Sequence, residues 1–233
     1  MKFRFIFSVL ALAAIVSASC GKEDSSKPAE FKGEISSARA VDMGTGVSWS
    51  GINLGAGSPE QAGGYYAWAE PLKDTTSFIL DTYVHYSTIL TVYLKYYAGD
   101  KAMQAEAADD PATHFWGPEY RMPSRSEFQD LIEACDWTFA SYKGKAGWVA
   151  TSKTTGNSIF FPFAGYRSGM SMKRLGSRGV YWTGELTSVV AEESGTNKAN
   201  QNLCWTFGIS SSGTDLGYAE RYIGASVRPV SNL

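Results

Sequence analysis

Chemistry needs groups that can converge, and two sets of residues in this chain could. Glu106, Asp109 and Asp110 fall within "AEAADDPATHFW". Carboxylates this close could supply oxygen ligands to calcium, a hard cation that takes about six to eight of them. Their spacing is not that of an EF-hand loop, and an aspartate ahead of Pro111 can instead cap a turn by accepting from the next amides. The turn reading is favoured, calcium stays open beside it, and no other cofactor is called for. The second set is Arg167, Trp182, Glu185, Trp205, Arg221 and Tyr222, at expected strand ends or beside long loops. Tryptophan faces stack on sugars or peptides and arginine adds planar donors, so these could form a recognition patch. Each aromatic could equally fill the core.

A catalytic centre is harder to assemble. The two histidines, His85 and His114, have no partners at metal-ligand spacing. Cys135 and Cys204 are far apart in sequence, and no Cys–His or Ser–His–Asp arrangement can be built from what is present. No catalytic residue is expected.

The N-terminus speaks to location. Lys2 and Arg4 flank the start of an apolar run from Phe5 to Val16, followed by Ser17, Ala18 and Ser19. That order is a secretory signal, too short to span a bilayer core of ~30 Å as a mature helix. "SASC" resembles a lipobox, the site at which a bacterial lipoprotein is cleaved before an acylated cysteine; Ser17 stands where an aliphatic residue is usual. Residues 1–19 are expected to be the signal peptide and Cys20 the lipidated residue. Residues 20–40, polar and without apolar period, are expected to be a flexible tether. "KED" behind Cys20 resembles the export signal of Bacteroidota lipoproteins, which implies a lipid-anchored protein on the outer face of the outer membrane. "DTT" at Asp74 to Thr76 matches a short O-glycosylation sequon of the same bacteria, which would place a glycan on Thr75.

Composition bounds the rest. Loss of Lys2 and Arg4 with the signal leaves 19 Lys+Arg against 23 Asp+Glu, a net charge near −4. No basic stripe appears, which argues against a nucleic-acid partner. Aromatics at 14% alongside 24 glycines predict many short strands joined by tight turns. Residues 41–233 fit a single domain with a core large enough to need no disulfide, and a Cys135–Cys204 bridge is left open.

The elements that must position the candidate groups are mostly strands, with one well-marked helix. In "RMPSRSEFQDLIEACDW", Ser124 and Glu127 have capping-box spacing, and Phe128, Leu131, Ile132 and Cys135 share one helical face. The spacing predicts a helix over about 125–135. "GYYAWAE", "GWVATS", "SIFFPFAGYR", "GVYWTGE", "QNLCWTFGI" and "YIGASVRPV" read as strands, Pro162 marking an edge or a bulge. The run from Phe78 to Tyr97 is strand or helix with no clear period. The stretch before Tyr120 reads as loop because Pro111 and Pro118 exclude a long helix. Residues 187–200 and 210–220 read as polar loops. The expected class is α+β, with twisted antiparallel sheets and one main amphipathic helix.

Five segments in order resemble the Fibrobacter succinogenes major paralogous domain, common in Bacteroidota lipoproteins: "VDMGTGVSWSGINLGAGSPEQAGGYYAWAE", "AADDPATHFWGPEYRMPSRSEFQDLIEACDW", "NSIFFPFAGYRSG", "GSRGVYWTGE" and "YIGASVRPV". Tyr120 replaces the tryptophan usual before "RMP", and "WTGE" stands where two serines often follow the tryptophan. The resemblance implies a C-type-lectin-like fold, related in outline to sulfatase-modifying domains, and brings no settled activity with it; the expected function is a non-catalytic domain that binds extracellular glycan or protein. An adhesin or assembly subunit acting through protein contacts is the alternative, and a degenerate enzyme of the sulfatase-modifying type a third. The "EPN" and "QPD" signatures of calcium-dependent lectins are absent, so calcium-bridged sugar binding is not inferred.

Overall fold

The computed structural model describes residues 28–71, 77–97, 102–187 and 202–232. Cys20, Thr75, the expected signal peptide and residues 188–200 of the expected polar loop lie outside the described residues. In chain order the elements are β1 (Val41–Asp42), β2 (Ser48–Trp49), β3 (Tyr86–Ser87), β4 (Val92–Tyr93), α1 (Pro111–Trp116), β5 (Tyr120–Arg121) and α2 (Arg125–Ala134). Then come β6 (Cys135–Tyr142), β7 (Lys145–Ser152), β8 (Ser158–Pro162), β9 (Tyr166–Ser168) and β10 (Ser171–Lys173), and last β11 (Arg178–Leu186), β12 (Leu203–Ser210), β13 (Gly213–Glu220) and β14 (Val230–Ser231). These strands form antiparallel sheets ordered β1-β2-β14-β5, β6-β7-β8 and β11-β12-β13, with two-stranded ribbons β3-β4 and β9-β10. Mostly antiparallel sheet with few helices is compatible with an α+β or a mostly-β class.

α2 begins where its sequence marks it. Ser124 Oγ accepts from the Glu127 amide at 3.1 Å, and Glu127 Oε2 accepts from the Ser124 amide at 2.7 Å, closing the capping box. Phe128 and Leu131 are fully buried, while Ile132 packs at the rim of the same cluster. Phe128 stacks on Phe207 of β12 with ring centres 4.6 Å apart and lies 5.0 Å from the Trp49 ring of β2. The helix therefore joins two sheets, and each of its two buried side chains contributes on the order of 1.5–3 kcal/mol.

Glu127 also faces Arg121 in a two-bond pair, with contacts of 2.8 and 2.6 Å. Those bonds and the cap amide hold its carboxyl below the usual glutamate range against the opposing pull of burial. A lowered folded pKa means that its stabilisation is present above about pH 4.3, the unfolded value, and is lost as pH falls through the folded one. Glu127→Gln should cost about 1 kcal/mol at pH 7, discounted because Arg121 is partly exposed. Denaturant titrations at pH 7 and pH 3 should show that gap narrowing; a pH-independent gap would remove the ion pair from the account.

The structure departs from the sequence reading in several places. The stretch read as loop carries one short helix, α1, and Pro111 starts it: as the first residue its missing N–H has no intrahelical partner to lose. Residues 213–220, expected as loop, form β13, which pairs with β12 from Leu203↔Glu220 to Ser210↔Gly213. β6 follows α2 at once, so Cys135 is both the helix's C-cap and the first strand residue. "GYYAWAE" makes only isolated bridges, Tyr66↔Ala225 and Ala67↔Glu70. The expected tether is shorter at its C-terminal end: the Phe31 amide donates to the Ser141 carbonyl at 2.8 Å, the Ser36 amide to the Ser158 carbonyl at 2.9 Å, and Ile35 is buried with Val149 and Phe160. Pro162 ends β8, an edge strand, as its missing donor requires.

Candidate functional site

The expected recognition set divides by depth. Trp182 is fully buried in β11, its Nε1–H donating to the Tyr66 carbonyl at 2.7 Å. Arg221 is fully buried as well; its guanidinium lies 3.7 Å from the Tyr93 ring centre and donates to the carbonyls of Tyr96 and Lys95 at 2.7 and 2.9 Å. Tyr222 packs half-buried against the Phe78–Tyr83 cluster. Arg167 sits in β9, bonded through its backbone to Gly224, with its guanidinium 6.0 Å from the Tyr65 ring. Trp182 and Arg221 are corrections to the expected patch, since both are buried in the core; Arg167 and Tyr222 are half-buried and do not line the groove described next.

Glu185 and Trp205 do come together, through a residue that the sequence reading passed over. Arg125, the first residue of α2, lays its guanidinium 4.0 Å over the Trp205 ring. Its backbone N–H donates to Glu185 Oε2 at 3.3 Å, and a carboxylate there is favoured by the helix's positive N-terminal end. Tyr218, directly opposite Trp205 in the β12–β13 ladder, meets it edge to face at 6.4 Å and is 62% exposed. Glu185 also borders a groove of about 550 Å³ with Gln104, Thr113, Arg121 and Ser126 along its walls. A shallower cleft of about 380 Å³ lined by Arg125, Gln129, Asp130 and Leu216 shares Ser126 and Glu185 with it. Gln104 Nε2 reaches Glu185 Oε1 at 3.4 Å. The result is an aromatic ledge, Trp205 and Tyr218, set beside Arg125, whose cleft adjoins a trough lined by amide, hydroxyl, guanidinium and carboxylate groups. Because the face of Arg125 is used against Trp205, its in-plane N–H donors are what it presents outward.

Arg125 and Tyr218 were hidden for different reasons. The first residue of an amphipathic helix reads as a solvated position. Tyr218 fell in a stretch whose serines and glycines looked like loop.

The acidic set does not converge. Asp110 caps α1, with Oδ1 accepting from the amides of Ala112 and Thr113 at 2.8 and 3.3 Å and Oδ2 from that of Met122 at 2.7 Å. Burial raises its carboxyl above the usual aspartate range, although the three amides pull the other way. Glu106 and Asp109 instead clamp Lys95 at 2.7 and 2.6 Å. Amides hold both oxygens of Asp110, an ammonium holds Glu106 Oε2 and Asp109 Oδ2, and no group of three His, Cys, Asp or Glu is placed to hold a metal among the described residues. Cys135 and Cys204 are free, buried and in separate clusters. Burial pushes the Cys135 thiol up to about 11 and raises that of Cys204 well above its ordinary value, so neither is poised as a thiolate. His85 is buried, its Nε2 2.8 Å from the Ala69 carbonyl, while His114 lies exposed against Phe115. Compared with protein-family models, with curated proteins and with solved structures, the chain matches none of them.

Proposed function

We propose that this is a lipid-anchored protein of the outer membrane, displayed on the cell surface, whose domain binds an extracellular glycan without transforming it. The C-type-lectin-like fold and membership of the Fibrobacter succinogenes major paralogous group belong to the same proposal. They rest on the five ordered segments and on an antiparallel, helix-poor architecture compatible with them. One observation carries the binding reading. An exposed tyrosine and a tryptophan lie beside Arg125, which lines a cleft that shares Ser126 and Glu185 with a trough whose walls offer hydroxyl, amide and carboxylate partners. Sugar rings present an apolar face for such a ledge and hydroxyls for such a trough, and looped sheets are rigid mounts for both. A protein partner would be expected to meet a larger apolar centre than this trough provides.

Glycan-array binding by the mature chain tests this directly. Tyr218→Ala and Glu185→Ala should each lower affinity for a bound glycan about tenfold or more while leaving the unfolding midpoint nearly unchanged. An empty array, together with a stoichiometric protein partner lost in Tyr218→Ala, would move the reading to an adhesin or assembly subunit. Protease shaving of intact cells tests the location: peptides from 41–230 should be lost from cells whose periplasmic control protein stays intact.

A further inference from the structure

The ribbon β3-β4 carries a surface that the glycan reading leaves unused. From Thr82 to Leu94 the chain has no Asp, Glu, Lys or Arg. Its hairpin pairs Ser87 with Val92, and the outermost loop positions are Ile89 and Leu90, 91% and 64% exposed. Val84, Val92 and Leu94 are exposed beside them. Hairpin loops normally use glycine, asparagine or aspartate, which are at home in water and in left-handed backbone. Here Thr91 takes the left-handed conformation, φ 54°, although it is β-branched. A strained, aliphatic loop in place of a polar one is a costly arrangement for a solvent turn.

The hairpin is also held firmly from below. Tyr83 Oη donates to the Trp68 carbonyl at 2.6 Å, and Arg221 holds the carbonyls of Lys95 and Tyr96. Tyr93 bonds the side chain of Asn202. Tyr86 and Tyr93 meet at the hairpin's base with ring centres 5.3 Å apart, and Lys95 and the partly exposed Tyr97 follow in the chain, so amphipathic side chains succeed the aliphatic tip, the order seen where a protein surface crosses from hydrocarbon to headgroups.

We infer that this hairpin dips its Ile89–Leu90 tip into the lipid surface to which the chain is anchored. The inference rests on the lipid-anchored reading of Cys20. Because the chain is already docked on the domain by Ala29, the stretch from Cys20 to Pro28 can reach at most about 28 Å, at ~3.3–3.6 Å per residue. An anchored domain must therefore lie close to the bilayer. One cavity lies between the docked segment and the hairpin's base. Glu30 accepts from the Lys143 amide at 2.7 Å, Lys143 and Tyr65 line that cavity, and Tyr65 packs against the cluster of Ala67, Phe78 and Tyr83. A second copy of the chain is a poorer occupant. A narrow convex tip offers far less than the ~800 Å² per partner of a stable protein interface, whereas a bilayer accepts a wedge.

The test uses the acylated mature protein in vesicles of phosphatidylethanolamine and phosphatidylglycerol. A spin label is placed at Ile89→Cys and, as the control, at Ser212→Cys. Ser212 is exposed beyond the far end of β12 from Asn202, and the two native cysteines of the domain are buried. The label at 89 should be accessible to oxygen and shielded from a water-soluble nickel complex, with the reverse at 212. An aqueous profile at both positions, with the protein still on the vesicles, overturns the inference alone. Dipolar coupling between labels at 89 overturns it in favour of a second copy. A chain that carries no lipid and stays off the vesicles overturns the anchored reading as well.

Discussion

Arg228→Ala should unfold at guanidinium concentrations where the parent chain is still folded. Arg228 is fully buried and its partners are uncharged oxygens: Nε donates to Asn53 Oδ1 at 2.9 Å, Nη1 to the Ser50 carbonyl at 3.0 Å and Nη2 to the Phe160 carbonyl at 2.7 Å. The guanidinium lies 4.4 Å from the Phe161 ring centre. Burial lowers its pKa to about 10, which still leaves it protonated at neutral pH. Alanine would strand three buried acceptors, each at about 1–3 kcal/mol, and empty the space beside Phe161. The expected loss is about 4 kcal/mol or more, against a usual total of about 5–15 kcal/mol. Arg228→Lys should recover part of it, since an ammonium on a flexible stem cannot match three directions of a planar fork. Guanidinium denaturation of both variants is the measurement. A loss under about 1 kcal/mol for alanine would mean that water re-satisfies the acceptors and that the arginine is not a structural tie.

Trp182→Ala and Trp205→Ala should produce opposite defects, although the two tryptophans looked alike in sequence. Trp182 fills the second core cluster with Trp68, Val227 and Leu54, so its removal should cost about 3–5 kcal/mol. Trp205 is only half-buried, with Arg125 above it and Tyr218 beside it. Its loss should cost about 1 kcal/mol of stability yet release Arg125 and lower glycan affinity by tenfold or more. Unfolding curves for both variants and calorimetric titration of Trp205→Ala with a glycan bound by the parent would decide. Equal destabilisation with unchanged affinity would return Trp205 to the core and remove the ledge from the site.

That contrast also shows how far the sequence could be read. The start of α2 was legible because a capping box is local: Ser124 and Glu127 meet across three residues whatever the rest of the chain does. Pro162 was legible for a similar reason, its missing donor being a property of one residue. Depth is not local. Val180, Tyr181, Trp182 and Thr183 are consecutive and all buried, because β11 is covered on both faces, so no alternation separates its tryptophan from that of β12. β13 was missed because its ladder partner, not its own Gly-Thr-Asp-Leu-Gly pattern, makes it a strand. The site suffered most. It joins α2, β11, β12 and β13, and only the pairing of distant segments brings Arg125 over Trp205.

The place of β14 has a consequence for how the chain comes into being. Val230 and Ser231 pair on one side with β2 and on the other with β5. Arg228, just ahead of them, is tied to Ser50, Asn53 and Phe160. A polypeptide delivered N-terminus first, by a ribosome or by a translocase, thus lacks the middle of one sheet and the tie across its core until residues 228 to 231 arrive. Until then β2 and β5 each wait with one hydrogen-bonding edge open, and pairings so distant in sequence form slowly. The same keystone that makes the finished domain stable keeps the nascent one unfinished, and a chain that cannot close early is one that can still be threaded through a pore.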